Sequence, residues 1–157
     1  VLVDNDPGVL ARVVGLFSGR GYNIDSLTVA EVDTRRARSR INIVTSGNEM
    51  IIDQIRAQLE RLVPVFNVVD LTEDGPSIER ELALIKVVAT GENRIEALRV
   101  ADIFRARAVD STLGSFVFEV TGDSSKVNAF IDLMEPLGLA EVSRTGVVAI
   151  ARGADAM

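Results

Sequence analysis

Apolar residues recur along this chain in two rhythms, every second residue and every third or fourth, and the rhythms alternate in a repeated order. Val1-Leu2-Val3 reads as the end of a strand. Val9, Leu10, Val13, Val14, Leu16 and Phe17 follow at the spacing of one helical face, which ends at S-G-R-G, residues 18–21. Residues 24–32 (IDSLTVAEV) and 40–45 (RINIVT) are strand-like and flank the polar stretch Asp33–Arg38. Ile52, Ile55, Leu59 and Leu62 predict a second helix, and VFNVVDLT (65–72) a further strand.

After E-D-G-P-S (73–77) the order starts again. ELALIKVVAT (81–90) predicts a strand, and Ala97, Val100, Ala101 and Phe104 a helix. AVDS (108–111) and SFVFEVT (115–121) predict two strands, with Phe116, Phe118 and Val120 on one face. Val127, Phe130, Ile131 and Met134 mark a last helix, and LAEVS (139–143) a last strand. Leu16-Phe17 and Arg20 are echoed by Ile103-Phe104 and Arg107. Each half thus reads β-α-β-β-α-β, the order of two helices on one antiparallel sheet. The expected class is α+β: two tandem ferredoxin-like domains, 1–73, with its first strand truncated, and 78–153.

Composition narrows what two such domains can do. At 157 residues, 47% of them apolar, the chain can build two cores. It has no cysteine and no histidine, which removes disulfides, thiolate or imidazole metal sites and His-based acid/base chemistry, and fits a reducing cytoplasm. Net charge is −6 and acidic residues outnumber basic ones in both halves, so neither half is built to neutralise nucleic-acid phosphates. The fold class can bind RNA through sheet aromatics, but here one Tyr and no Trp accompany Phe116 and Phe118, with no basic aromatic motif beside them. No apolar run approaches the ~18 residues of a membrane span. The chain opens inside an apolar stretch without Met, so residues before Val1 are expected. Arg35, Arg36, Arg38 and Arg40 cluster in the first hairpin, either as a turn kept soluble by charge or as a patch for an acidic protein.

Candidate catalytic groups are few. Lys86 and Lys126 lie in different halves, Lys86 within a strand, and no carboxylate pair is marked out by spacing. G-E-N-R (91–94) reads as a loop and helix start, with no second glycine to make a phosphate loop. The expectation is a chain that is not an enzyme by itself.

D-N-D-P-G, residues 4–8, is the more telling stretch. Asp6 suits a helix N-cap, Pro7 the first helical position, and Gly8 lets another molecule approach the backbone. Free N–H groups at a helix start suit a carboxylate, and Asp4 and Asn5 an ammonium, so the pieces match a free amino acid; they equally match a well-capped helix. In GRGYNIDSL (19–27), Asn23 is the one amide, either a hydrogen-bonding group for a ligand or an ordinary turn asparagine.

Taken together, NDPGVLARVVGLFSGRGYNIDSLTV resembles the ACT-domain signature of the small, regulatory subunits of acetolactate synthase (acetohydroxyacid synthase). SIERELALIKV (77–87), ADIFRARAVD (101–110) and EVSRTGVVAIARG (141–153) extend the resemblance over nearly the whole chain. It implies ACT domains paired side by side in a homodimer, with valine or another branched-chain amino acid at the interface. It implies that Asn5, Gly8, Val9 and Leu10 meet the effector's charged end, that Asp6 and Pro7 shape the loop, and that Asn23 and Ile24 come from the neighbouring protomer. Some relatives have serine where this chain has Ala11, which bears on the strength of valine sensitivity. The second domain has neither D-N-D-P-G nor G-Y-N, and is expected to serve dimerisation or the catalytic subunit. That subunit is a separate, larger chain carrying thiamine diphosphate, Mg2+ and usually FAD. It condenses pyruvate with pyruvate or 2-oxobutyrate on the route to branched-chain amino acids, and the small subunit activates it and confers feedback inhibition. The alternative is an ACT-like pair that only assembles, its effector site lost or altered.

Overall fold

The computed structural model describes residues Val1 to Met157 and divides them into two compact units: Val1–Ile78 with Val147–Met157, and Glu79–Gly146. In the first unit the order is β1 (Leu2–Asp4), α1 (Val9–Gly19), β2 (Ser26–Asp33), β3 (Arg38–Val44), α2 (Glu49–Glu60) and β4 (Val65–Asn67). The strands lie β2-β3-β1-β4, all neighbours antiparallel. Strand β5 (Ser77–Val88) starts in the last two residues of Val1–Ile78 and continues as the first strand of the second unit, where α3 (Gly91–Ile103), β6 (Arg107–Ser111), β7 (Ser115–Gly122), α4 (Ser124–Gly138) and β8 (Leu139–Arg144) follow in the same order. Its strands lie β6-β7-β5-β8, the same permutation. Both units are therefore ferredoxin-like, as the repeated rhythm predicts.

Period decides which side chains are buried. In the first unit Val9, Val13 and Phe17 from α1 and Ile55 and Leu59 from α2 close over Val3 and Ile41 of the sheet. In the second, Ala83, Ile85 and Val87 alternate inward on β5, and Phe116, Phe118 and Val120 on β7. Ala97, Val100 and Ala101 of α3 and Val127, Phe130 and Met134 of α4 cover them. Helix α1 ends as S-G-R-G predicts. Gly21 takes φ 70°, the Tyr22 N–H returns to the Phe17 carbonyl at 3.0 Å, and the two rings meet edge to face.

Two predicted segments differ. The strand expected over 65–72 stops at Asn67. Asp70 turns its carboxylate back to the Thr72 N–H and hydroxyl, and Asp74 takes the Asp70 N–H. These short side-chain bonds compete with the sheet ladder and end it. Beyond LAEVS, Val148–Ala151 forms a further strand, β9, which pairs with β5. The strand belongs to the first unit, and just after it the Arg152 N–H donates to the Pro76 carbonyl of that same unit at 2.9 Å. No helix is long and apolar enough to cross a membrane.

Candidate functional site: the loops at the two ends of strand β3

The D-N-D-P-G stretch forms a turn before it forms a helix. The Val9 N–H donates to the Asp6 carbonyl at 3.3 Å across Pro7 and Gly8, and Gly8 sits at φ 85°, ψ −8°. Proline followed by a left-handed glycine at the two central positions is a type II turn. The turn uses up two residues, so helix α1 begins at Val9 and its N-cap is Gly8. The expectation that Asp6 caps the helix and that Pro7 is its first residue is therefore corrected. Asp6 lies two residues too early, its backbone closes the turn, and no side chain caps the helix.

That correction leaves the helix start more open. Val9 donates to Asp6 and Arg12 to Gly8 at 3.1 Å, while the N–H groups of Leu10 and Ala11 have no acceptor. A side chain at Gly8 would meet nothing within 4 Å. Leu10 and Gly8 are exposed, whereas Val9 is buried in the core and anchors the turn. Asn5 is exposed too, but its Oδ1 accepts from the buried Ser39 hydroxyl at 2.9 Å and its N–H donates to the Ala37 carbonyl at 2.7 Å. Asn5 is thus fixed by the start of β3, with its Nδ2 still available to donate.

Asn23 and Ile24 lie in the loop before β2 rather than at its first residues. Asn23 has partners within the chain: its Nδ2 donates to Asp25 Oδ1, and its backbone carbonyl accepts from the Thr45 hydroxyl at 2.6 Å. The other Asp25 oxygen accepts from Ser46 at 2.8 Å, so the loop is tied to the residues just after β3. The side-chain Oδ1 of Asn23 carries no donor. Ile24 is half-buried and packs against the core.

The two loops do not meet within one chain. Asn5 follows Asp4, which pairs with Arg38 at the start of β3, while Ser26 pairs with Val44 at its end. The six residue steps between Arg38 and Val44 span roughly 20 Å of extended strand. One amino acid cannot touch both ends.

Other candidate groups are committed elsewhere. Lys86 donates to Glu141 at 2.7 Å, which raises the lysine and lowers the carboxyl from their ordinary values and keeps the amine protonated. Lys126 reaches the Thr121 carbonyl at 3.0 Å. No group of three or more Asp or Glu side chains is placed to hold a metal ion. The hairpin arginines are not one patch. Arg35 and Arg36 are exposed around the Asp33 carboxylate, Arg38 stacks on the Phe66 ring at 3.7 Å, and Arg40 is half-buried.

Comparisons with known proteins cover both units. A model described as the AHAS small subunit-like ACT domain matches residues 1–67, and one described as the small subunit of acetolactate synthase matches residues 80–153. A probable acetolactate synthase small subunit of Archaeoglobus fulgidus is 51% identical over 98% of this chain and 94% of its own length. The acetolactate synthase small subunit of Aquifex aeolicus is 46% identical over 97% of this chain and 79% of its own. The crystal structure of the Thermotoga maritima acetolactate synthase small subunit superposes with a TM-score of 0.86 at 40% identity, covering 98% of this chain and 95% of that one. With the doubled fold and the turn-then-helix loop already established, these matches place the chain in the acetolactate synthase small-subunit family, its first unit an ACT domain.

Proposed function

We propose that this chain regulates a larger acetolactate synthase catalytic subunit, and that its ACT unit binds valine or another branched-chain amino acid between two copies paired side by side. The observation that carries this reading is the separation of the two loops along β3. A ligand that uses both must lie where one protomer's α1 start faces the other's Asn23 loop. The unpartnered N–H groups of Leu10 and Ala11, with the free Asn5 Nδ2, suit its carboxylate. The free Asn23 Oδ1 suits its ammonium. Asp6, Pro7, Gly8, Val9 and Ile24 shape the walls. The exposed Leu10 offers the site's mouth an apolar contact.

The catalytic chain supplies the chemistry in this reading, with thiamine diphosphate, Mg2+ and FAD, in the cytoplasm; this chain raises its turnover and makes it sensitive to feedback inhibition. Alone, with all three cofactors supplied, it converts no pyruvate.

Thermal unfolding with and without ligand tests the effector site. A ligand bound only to the folded dimer stabilises it by about 2.7 kcal/mol at a hundredfold excess over its dissociation constant. Valine raises the melting temperature and lysine does not; equal shifts, or none at millimolar valine, defeat the reading. Asn23→Ala weakens valine about ten- to a hundredfold, the cost of a hydrogen bond to a charged group, and leaves activation of the catalytic subunit intact. Asn93→Ala, in the second unit, leaves inhibition unchanged. If Asn23→Ala abolishes assembly instead, Asn23 is a structural turn residue and not an effector ligand.

A further inference from the structure

The outer face of the first unit's sheet carries a row of small polar side chains that hold an extended segment from the far end of the chain. Ser26 Oγ accepts the Val147 N–H at 2.9 Å, and the Thr28 hydroxyl donates to the Val147 carbonyl at 3.3 Å. Asn42 Oδ1 accepts the Ala149 N–H at 3.4 Å, while its Nδ2 donates to the Thr28 oxygen at 3.3 Å. Thr28 and Asn42 are cross-strand partners, so one polar pair grips the backbone of the segment. Val147 is buried, whereas Val148 and Ile150 are exposed, and the alternating Ala149 and Ala151 are half-buried and small enough for the backbone to come close. Arg152 closes the other end, its N–H on Pro76 and its Nε 3.4 Å from the Ser77 carbonyl.

We propose that this C-terminal strap, Val147–Arg152, is a clamp that positions β2 and, through it, the Asn23–Ile24 loop for effector binding; the proposal rests on the effector reading above. β2 is the edge strand, supported by backbone pairing on one side only. Its first residue, Ser26, stands three positions after Asn23 and is the one that takes the Val147 N–H. The strap is held to β2 and β3 by side chains, so the ladder between those strands survives its release. Ser26, Thr28 and Asn42 are therefore positioning residues: none belongs to the site, but all three set where the loop before β2 ends.

The test compares two variants of the full chain. Ser26→Ala/Asn42→Ala removes both acceptors, and Ser26→Thr with Asn42 kept retains an oxygen at each position. In hydrogen exchange without ligand, the alanine variant is expected to lose about tenfold in protection at Val147 and Ala149, on the scale of one hydrogen bond, and the oxygen-keeping variant to retain it. Unchanged protection overturns the clamp. In calorimetric titration with valine, the alanine variant is expected to bind about five- to tenfold more weakly and the oxygen-keeping variant to recover. Protection lost with valine affinity unchanged overturns the positioning role. A wild-type chain that takes up no branched-chain amino acid overturns the effector reading and the positioning role with it, while the exchange experiment still decides the clamp.

Discussion

Gly8 offers the sharpest test of where a ligand carboxylate lies, because charge at this position should move stability and affinity in opposite directions. Its φ of 85° is costly for an ordinary side chain, about 1–2 kcal/mol, but Asn and Asp tolerate it best and nearly equally. Both fit, since nothing lies within 4 Å of the position a Cβ would take. Gly8→Asn and Gly8→Asp therefore share strain and shape and differ by one negative charge. That charge stands at the N-terminus of α1, beside the unpaired N–H groups of Leu10 and Ala11. Without ligand it should stabilise Gly8→Asp over Gly8→Asn by about 0.3–1 kcal/mol. With valine the sign reverses. Two carboxylates about 4 Å apart repel by roughly 1 kcal/mol in water and 4 kcal/mol at an effective dielectric of 20. For an exposed loop about 1–2 kcal/mol is the fitting range, a five- to thirtyfold loss of affinity. Denaturant melts give the first quantity and calorimetric titration with valine the second, and the affinity gap should shrink with added salt. Equal valine affinities in the two variants would falsify the placement of the carboxylate at the start of α1.

The displaced Asp6, the Asp123 N-cap and the ion pair of the buried Glu81 supply further tests. Because Asp6 caps nothing, Asp6→Ala should change stability by less than about 0.5 kcal/mol, whereas Asp123→Ala should cost about 0.5–2 kcal/mol, since Asp123 accepts the Lys126 N–H at 2.8 Å; equal losses in urea melts would restore Asp6 as a cap. The Lys126 N–H and the Ser125 hydroxyl hold the Asp123 carboxyl below its ordinary value of 3.8. A carboxyl lowered by folding contributes stability above its unfolded pKa that disappears as pH falls through the folded one, so acid melts below about pH 4 should be shallower in Asp123→Asn, and unchanged steepness would count against the cap. Arg144 pairs with Glu81, whose side chain is 3% exposed and also accepts from Ser124 at 3.2 Å. Arg144→Met should cost about 1–3 kcal/mol by leaving the buried carboxylate with Ser124 as its one side-chain partner, and adding Glu81→Gln should recover part of it; additive losses would mean the pair is not coupled.

Features that depend on neighbours a few residues apart can be read along the chain. Alternation on 115–121 sets the inward face of β7, the 3.6-residue rhythm of Val9, Val13 and Phe17 sets the buried side of α1, and Gly21 sets its end. The doubled β-α-β-β-α-β order follows from those rhythms, and so did the family, because its motifs are contiguous. The rest depends on turn geometry and on contacts between distant segments. Whether Asp6 or Gly8 stands at the helix start turned on two residues of turn geometry, which composition around a proline leaves open. The strand predicted to Thr72 ended at Asn67 because Asp70 and Asp74 took the backbone donors for themselves. Asn23 gained Asp25 and Thr45 as partners, and came to lie a strand's length from Asn5, through a β2–β3 register that no local pattern contains. The strap was least legible of all. Val147 meets Ser26 across 121 positions of chain, and a contact that distant depends on where folded sheets put their faces, which local spacing does not encode.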